Sequence, residues 1–430
     1  MWARTILFWL FLGVTAAVCL TGRAVAELIT ALFPDGVPGY NNGDGVTVET
    51  RLHPDQMPLG IRDGAFDFQP WLDQSVGYTS NALPGPYRRG SWEVTSAPAL
   101  GIASDWSRDS IGALLSVQNT SYLDLPSQSR SDVTLQLGGR IDIGDGKLTL
   151  GAAHLSEHED RGALGTIASD RPIPFQIDDV RAAYALTDGR WTIEPGLQAT
   201  NWTYGDTTIL GVPASQGFRD RLVLQQQVTV RYELAPLRDV LFVVRGVQQN
   251  YAHTPVGQPS LDSTSYQMLA GLDYDNDAIW RMRILIGGEA RRFASPLYQA
   301  ENTLIAEASA VWSPTGLTTV TATLTRQTGD AEQPAISGMI YSGAKLTIDH
   351  EYLRDLLLQA SFGLQRADFF QGGYQVGTDA TFGITRVLNR NARLSLTYDQ
   401  TDVHVSGGMA EAFGGGYSRG VALVTMRLGL

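Results

Sequence analysis

Four arginines stand where a guanidinium could act on a ligand or a passing ion: Arg231, Arg245, Arg281 and Arg283. Each falls on the polar parity of a short segment in which polar and apolar residues alternate. Glu233, Asp273, Gln225 and Gln227 share that parity in the same or adjoining segments. If those segments are neighbouring strands, the eight side chains gather on one face. Guanidinium and carboxylate groups around a water-filled interior set an electric field and select permeants. The same groups can stack on and hydrogen-bond sugars. They can equally pair with one another, as a salt-bridge ladder that fills the interior of a closed sheet and keeps it round.

Other constellations offer less. His154 and His158 are spaced for one face of a helix, not for a strand or loop, so they read as a solvated loop without metal. Asp273-Tyr274-Asp275-Asn276-Asp277 begins like a calcium loop, lacks the downstream Glu, and reads as a turn. His253 and His404, with Asp262 and Asp402, could serve as acid or base at a rim. The chain has no phosphate-binding loop, no Gly-x-Ser-x-Gly elbow and no zinc pattern. No catalytic residue, metal or cofactor is assigned, and the chain reads as a non-enzyme.

The elements that must position the arginines are strands. From 64 to 430 the chain alternates in period two. In 132–143, Val133, Leu135, Leu137 and Ile141 face one way, and Asp132, Thr134, Gln136 and Arg140 the other. About 18 such segments can be counted, the least regular at 147–156. Tight connections such as Gly144-Asp145-Gly146 and Thr187-Asp188-Gly189 alternate with long polar ones such as 157–175, 203–219, 251–262 and 401–418. Tight turns at one end and long loops at the other belong to an outer-membrane barrel. On the apolar face, Trp106, Tyr184, Trp191, Tyr232, Tyr274, Trp280 and Trp312 fall beside the tight turns. Tyr78, Trp92, Tyr266 and Tyr398 fall at the long-loop end. Two girdles of amphipathic rings match the two interfaces of a bilayer. In hydrocarbon every backbone N–H and C=O needs a partner, which a sheet supplies only by closing. The expected fold is all-β: a closed antiparallel up-and-down transmembrane β-barrel of about 18 strands. Gln226 falls on the lipid side and departs from the pattern.

Residues 1–26 read as a cleaved signal peptide: Arg4, an apolar run from Ile6 to Leu20, then Ala24-Val25-Ala26. The one cysteine, Cys19, lies inside it, so the mature chain has no thiol for a disulfide, a metal site or a nucleophile. Residues 27–63, rich in Gly, Pro and Asp, read as a flexible periplasmic leader or a partial plug of the lumen, and 64–430 as the barrel. Charged residues are 18 % and hydrophobic ones 43 %, too polar for a bundle of membrane helices. The net charge of −12 argues against nucleic acid as a partner.

Pro58-Leu59-Gly60-Ile61-Arg62-Asp63-Gly64-Ala65-Phe66, followed by Gly77-Tyr78, Ser91-Trp92, Pro98-Ala99-Leu100 and Ser104-Asp105-Trp106-Ser107-Arg108, resembles the putative β-barrel porin 2 family of bacterial outer-membrane proteins. The resemblance covers most of 55–430 and carries no catalytic residues. It implies a barrel in the outer membrane of a Gram-negative cell, with outer-membrane lipid and the barrel-assembly machinery as partners. The last strand, with Val424, Met426, Leu428 and Leu430 on one face, looks like the segment that machinery reads, although an aromatic is usual in last place. A polar lumen makes a channel for hydrated solutes the first expectation. A barrel for export of surface polysaccharide, working with periplasmic export proteins, is the second, as some family members are associated with export. A rim enzyme or a structural surface protein is the third.

Overall fold

The computed structural model describes residues 33–40, 47–51, 53–83, 88–160, 163–276, 279–330, 332, 336–407 and 415–430. The expected signal peptide, 1–26, lies outside the described residues.

Eighteen long strands make up the molecule. In chain order they are β1 (Phe66–Thr79), β2 (Ser91–Ser104), β3 (Ser110–Tyr122), β4 (Arg130–Ile143), β5 (Gly146–His158) and β6 (Pro174–Asp188). Then come β7 (Trp191–Tyr204), β8 (Arg221–Ala235), β9 (Arg238–Tyr251), β10 (Ser263–Asn276), β11 (Trp280–Phe293) and β12 (Glu301–Thr315). The last are β13 (Thr318–Gly329), β14 (Met339–Leu353), β15 (Leu356–Phe369), β16 (Tyr374–Asn389), β17 (Ala392–Ser406) and β18 (Tyr417–Gly429). Each pairs antiparallel with the next, and β18 pairs with β1 from Trp71–Gly429 to Thr79–Val421, so the sheet closes on itself. A three-residue strand, Ile61–Asp63, folds back on the start of β1. At 12 to 16 residues each, the strands are long enough to cross a bilayer when tilted.

The tight turns are built for their geometry. Gly144 and Gly189 sit at φ of 59° and 57°, left-handed conformations that glycine takes without steric cost. Leu237 occupies the same region at 63° in the turn between β8 and β9. Along the strands, side chains alternate between an outer apolar face and the lumen. On β8, Leu222, Leu224 and Val228 are exposed outward while Val223 and Thr229 are buried inward. Gln226 does lie outward and exposed.

The structure puts the aromatics on the outer face. Trp280 stacks on Trp312 with centroids 5.3 Å apart, and Trp191 meets Tyr232 at 4.6 Å, both pairs beside tight turns. Tyr78 and Trp92 pack edge to face near the long-loop end, with Tyr266 and Tyr398 exposed at that end too. Trp106 lies just past β2, against Phe66. Tyr184 donates to the Ile143 carbonyl across the β4–β5 turn, and Tyr274 stands under Arg238.

Two local expectations fail. His154 and His158 are on β5, not in a loop, because the ladder with β4 and β6 runs to the end of that segment. His154 meets Asp178 at 2.7 Å and His158 meets Asp132 at 2.8 Å, so cross-strand carboxylates give both imidazoles partners. Asp273 to Asn276 belong to β10, not to a turn.

Candidate functional site

The barrel encloses a cavity of about 1380 Å³ lined from all round the wall, mostly by Thr, Ser, Gln and charged residues. The wall formed by β8 to β12 carries the arginines singled out in the sequence. Arg231 donates to Asp239 at 2.8 Å and lies 3.5 Å from Asp273. Arg245 holds Gln227 at 2.7 Å and reaches across to both carboxylate oxygens of Glu307. Arg281 is half-exposed beside a tight turn and pairs with Asp275 at 2.9 Å, away from the others. Arg283 lines the cavity with no carboxylate within 4 Å among the described residues. Gln225 also lines the cavity. Glu233 stands at the tight-turn end of β8, opposite Asp239. The eight residues therefore spread along one wall, with Arg231, Arg245 and Arg281 in separate ion pairs and Arg283 in none, and do not form one cluster.

The same wall holds an apolar cluster that alternation alone does not reveal: Leu241, Val243, Leu269, Leu285 and Ile305, all on the lumen parity. A β-carbon on Gly271 or Gly287 would overlap the carbonyl oxygen of Ile284 or Met268. Gly271 pairs with Leu285 and Gly287 with Leu269, so the two positions without a side chain lie directly beside members of the apolar cluster.

The leader enters the lumen. At the tight-turn end, Val48 N–H donates to Thr319 at 3.0 Å, Arg51 to the Gly316 carbonyl, and Gln359 to Glu49 at 2.8 Å. Residues 33–40 lie deeper in the lumen, where Phe33, Val37 and Tyr40 are buried with Leu114, Leu155, Ile177, Phe175, Trp202, Tyr204 and Val223. Gly112, Gly138 and Gly151 stand opposite one another on β3, β4 and β5 and face inward. A β-carbon would come within 2.8 Å of Pro38 at Gly112 and within 2.8 Å of Tyr40 at Gly151, and would overlap the Pro38 carbonyl oxygen at Gly138. Three cross-strand glycines thus cut a notch in the wall that Pro38 and Tyr40 fill. Arg181 closes it, with its guanidinium 4.2 Å from the Tyr40 ring centre and 4.8 Å from that of Phe33. Burial and the charge of Asp179 push the Tyr40 phenol up, so it stays a donor.

The connection from β5 to β6 folds into the other mouth. Ala163 and Leu164 pack on Ile336, Met339, Tyr341, Ala367 and Phe369, across the barrel from β5. The Gly165 N–H donates to Gln375 at 2.8 Å and that of Ile167 to Glu332 at 3.1 Å. Arg219, itself buried, joins Glu159 at the root of this connection to Glu332 at 3.0 Å, and Arg419 grips both oxygens of Asp160 at 3.0 Å. Burial pushes the Glu332 carboxyl up, with Arg219 opposing. His253, by contrast, is exposed 3.8 Å from Asp220, and Asp262 caps the Tyr251 N–H, so these two do not meet as an acid–base pair. Asp402 and His404 lie on β17 beside an outer-rim depression, not in the lumen.

A family model described as Putative beta-barrel porin 2 matches residues 53–428. No curated protein matches the chain by sequence. Among solved structures the chain is similar to the outer membrane protein OpdK of Pseudomonas aeruginosa, at 13 % identity over 85 % of this chain and 99 % of that one, with a TM-score of 0.44. It is similar to OccAB4 of Acinetobacter baumannii, at 10 % identity over 88 % and 100 %, with a TM-score of 0.46. It is also similar to the ferric-catecholate import receptor Fiu of E. coli K12, at 9 % identity over 84 % and 81 %, with a TM-score of 0.44.

Proposed function

The chain belongs to the putative β-barrel porin 2 family, and on that footing we propose that it is a non-enzymatic outer-membrane channel for small hydrated solutes, with residues 27–63 as a partial plug and 64–430 as the conducting barrel. The observation that carries this reading is the cavity of about 1380 Å³ walled largely by hydroxyl, amide and charged side chains. Such a lining replaces the water shell of a permeant at little cost. The leader and the inward-folded connection support a narrowed passage over an open bore.

Cations are the favoured permeants. Glu194, Glu289, Asp349, Asp379 and Asp399 line the cavity with no basic partner within 4 Å among the described residues, against Arg283, Lys345 and Arg393 without an acidic one. Outer-membrane lipid and the assembly machinery are its proposed partners, and a signal peptide at 1–26 its route. Export of surface polysaccharide gains nothing from the comparisons, and the lumenal rings of Phe175, Trp202 and Tyr204 pack together by the leader in place of spacing out as rungs. The test is planar-bilayer recording on the refolded full chain. Discrete conductance steps are expected, and silence both in the full chain and with 27–63 deleted would overturn the reading.

A further inference from the structure

Lipid-facing guanidiniums need an explanation, because hydrocarbon does not solvate them. Arg326 and Arg366 both lie on the outer parity of their strands. Leu324, two residues before Arg326 on β13, and Phe362 and Leu364, just before Arg366 on β15, are exposed to the same side. Both arginines sit toward the long-loop end, where that exposed apolar run stops.

Register places them together. Arg326 pairs with Ser342 on β14, and Ser342 pairs with Arg366. Neighbouring strands are about 4.8 Å apart, so the two arginine backbones are roughly 10 Å apart on one level. Arg326 Nη1 donates to Ser342 Oγ at 2.7 Å and Nε to the Leu304 carbonyl at 3.1 Å. No carboxylate lies within 4 Å of Arg326 among the described residues, so both of its anchors are neutral. Arg366 has its own counter-charge in Asp368, at 2.6 to 2.9 Å, and stands 4.2 Å from the Tyr374 ring centre. The patch therefore carries one uncompensated positive charge, held by Ser342 and flanked by a second guanidinium and an aromatic ring.

We propose that Arg326, Ser342 and Arg366 form an outer-face site for the phosphate of a lipid headgroup in the leaflet at the long-loop end. A phosphate there supplies the anion that Arg326 lacks, and the guanidinium fork matches its oxygens two at a time. Ser342 orients the fork, and Leu324, Phe362 and Leu364 run under the acyl chains. This inference rests on the membrane reading above but not on conduction.

The test uses the full chain in nanodiscs of phosphatidylcholine doped with lipid A, the same glycolipid stripped of its phosphates, or no glycolipid plus inorganic phosphate. Native mass spectrometry counts the lipid retained. The wild type retains the phosphorylated glycolipid. Arg326→Gln loses most of it, Arg326→Lys keeps an intermediate share, and the stripped lipid is not retained. Heat-modifiable gel mobility and conductance stay unchanged in both variants. Equal retention by Arg326→Gln, or equal retention of the stripped lipid, overturns the site. Displacement of the glycolipid by millimolar inorganic phosphate overturns the lipid as its source. Failure of the wild type to enter nanodiscs defeats the membrane reading instead.

Discussion

The phenol of Tyr40 donates a hydrogen bond of 3.1 Å to Oδ1 of Asp179, tying the leader to the wall in mid-strand. Asp179 is buried and also accepts from Arg181, Gln198 and Thr200, so its carboxylate is held in one orientation before the leader arrives. A hydrogen bond to such a carboxylate contributes about 1.5–3 kcal/mol. Tyr40→Phe should therefore loosen the leader without unfolding the barrel. Single-channel recordings should show more frequent excursions to a larger conductance, and deletion of 33–51 should make that level permanent.

Glu49 makes the docking depend on pH. Burial first, then the charge of Asp349, push its carboxyl up to about 7, while the Gln359 hydrogen bond, Arg427 and Arg393 pull the other way. In an undocked leader it titrates near its ordinary 4.5. The docked value is the higher one, so this contribution to docking is complete below the undocked value and is lost as pH rises through about 7. The shift corresponds to about 3 kcal/mol at most. Conductance should be larger at about pH 8 than at about pH 5, and Glu49→Gln should flatten the profile at the low-pH level.

The barrel was legible because its code is local. Val133, Leu135 and Leu137 alternate with Thr134 and Gln136 whatever lies beside them, and a bilayer tolerates only one outward face. The glycine notch was not legible. Gly112, Gly138 and Gly151 stand far apart in the chain, and only the register of three strands sets them opposite one another. Parity did place Arg231, Arg245 and Arg283 inward, but it could not say that Arg231 would meet Asp239 while Arg283 met no acid. The Arg219–Glu159–Glu332 group was missed for a related reason. Its members sit in long connections without periodicity, where partners are chosen by tertiary packing.

A side chain in the notch should mimic removal of the leader. Gly138→Val adds a branch where the Pro38 carbonyl oxygen lies, and Val suits a strand. Gel mobility and thermal midpoint should stay near wild type, while conductance rises to that of the 33–51 deletion. An unchanged conductance would mean that the leader does not limit flow.

Arg219 should decide where the β5–β6 connection sits. It is buried between Glu159 and Glu332, which are buried too. Removing one partner from such a group costs about 3–5 kcal/mol, because the remaining charges lose their compensation. Arg219→Met should release the connection into the medium. Limited proteolysis should then cut within 159–173, with hydrogen exchange faster there and unchanged in the strands.

Ion selectivity should follow the unpaired lumen charges. Asp349, Asp379 and Asp399 line the wall of β14, β16 and β17, where they accept from Gln359, Gln365 and Thr381 and have no basic partner within 4 Å among the described residues. Screening reaches about 10 Å at 0.1 M salt, so the effect is largest in dilute salt. In a potassium chloride gradient the wild type should show a reversal potential of cation-selective sign. Changing all three to Asn should move it toward zero, and Arg283→Gln should move it the other way, because that guanidinium is the opposing charge without an acid of its own.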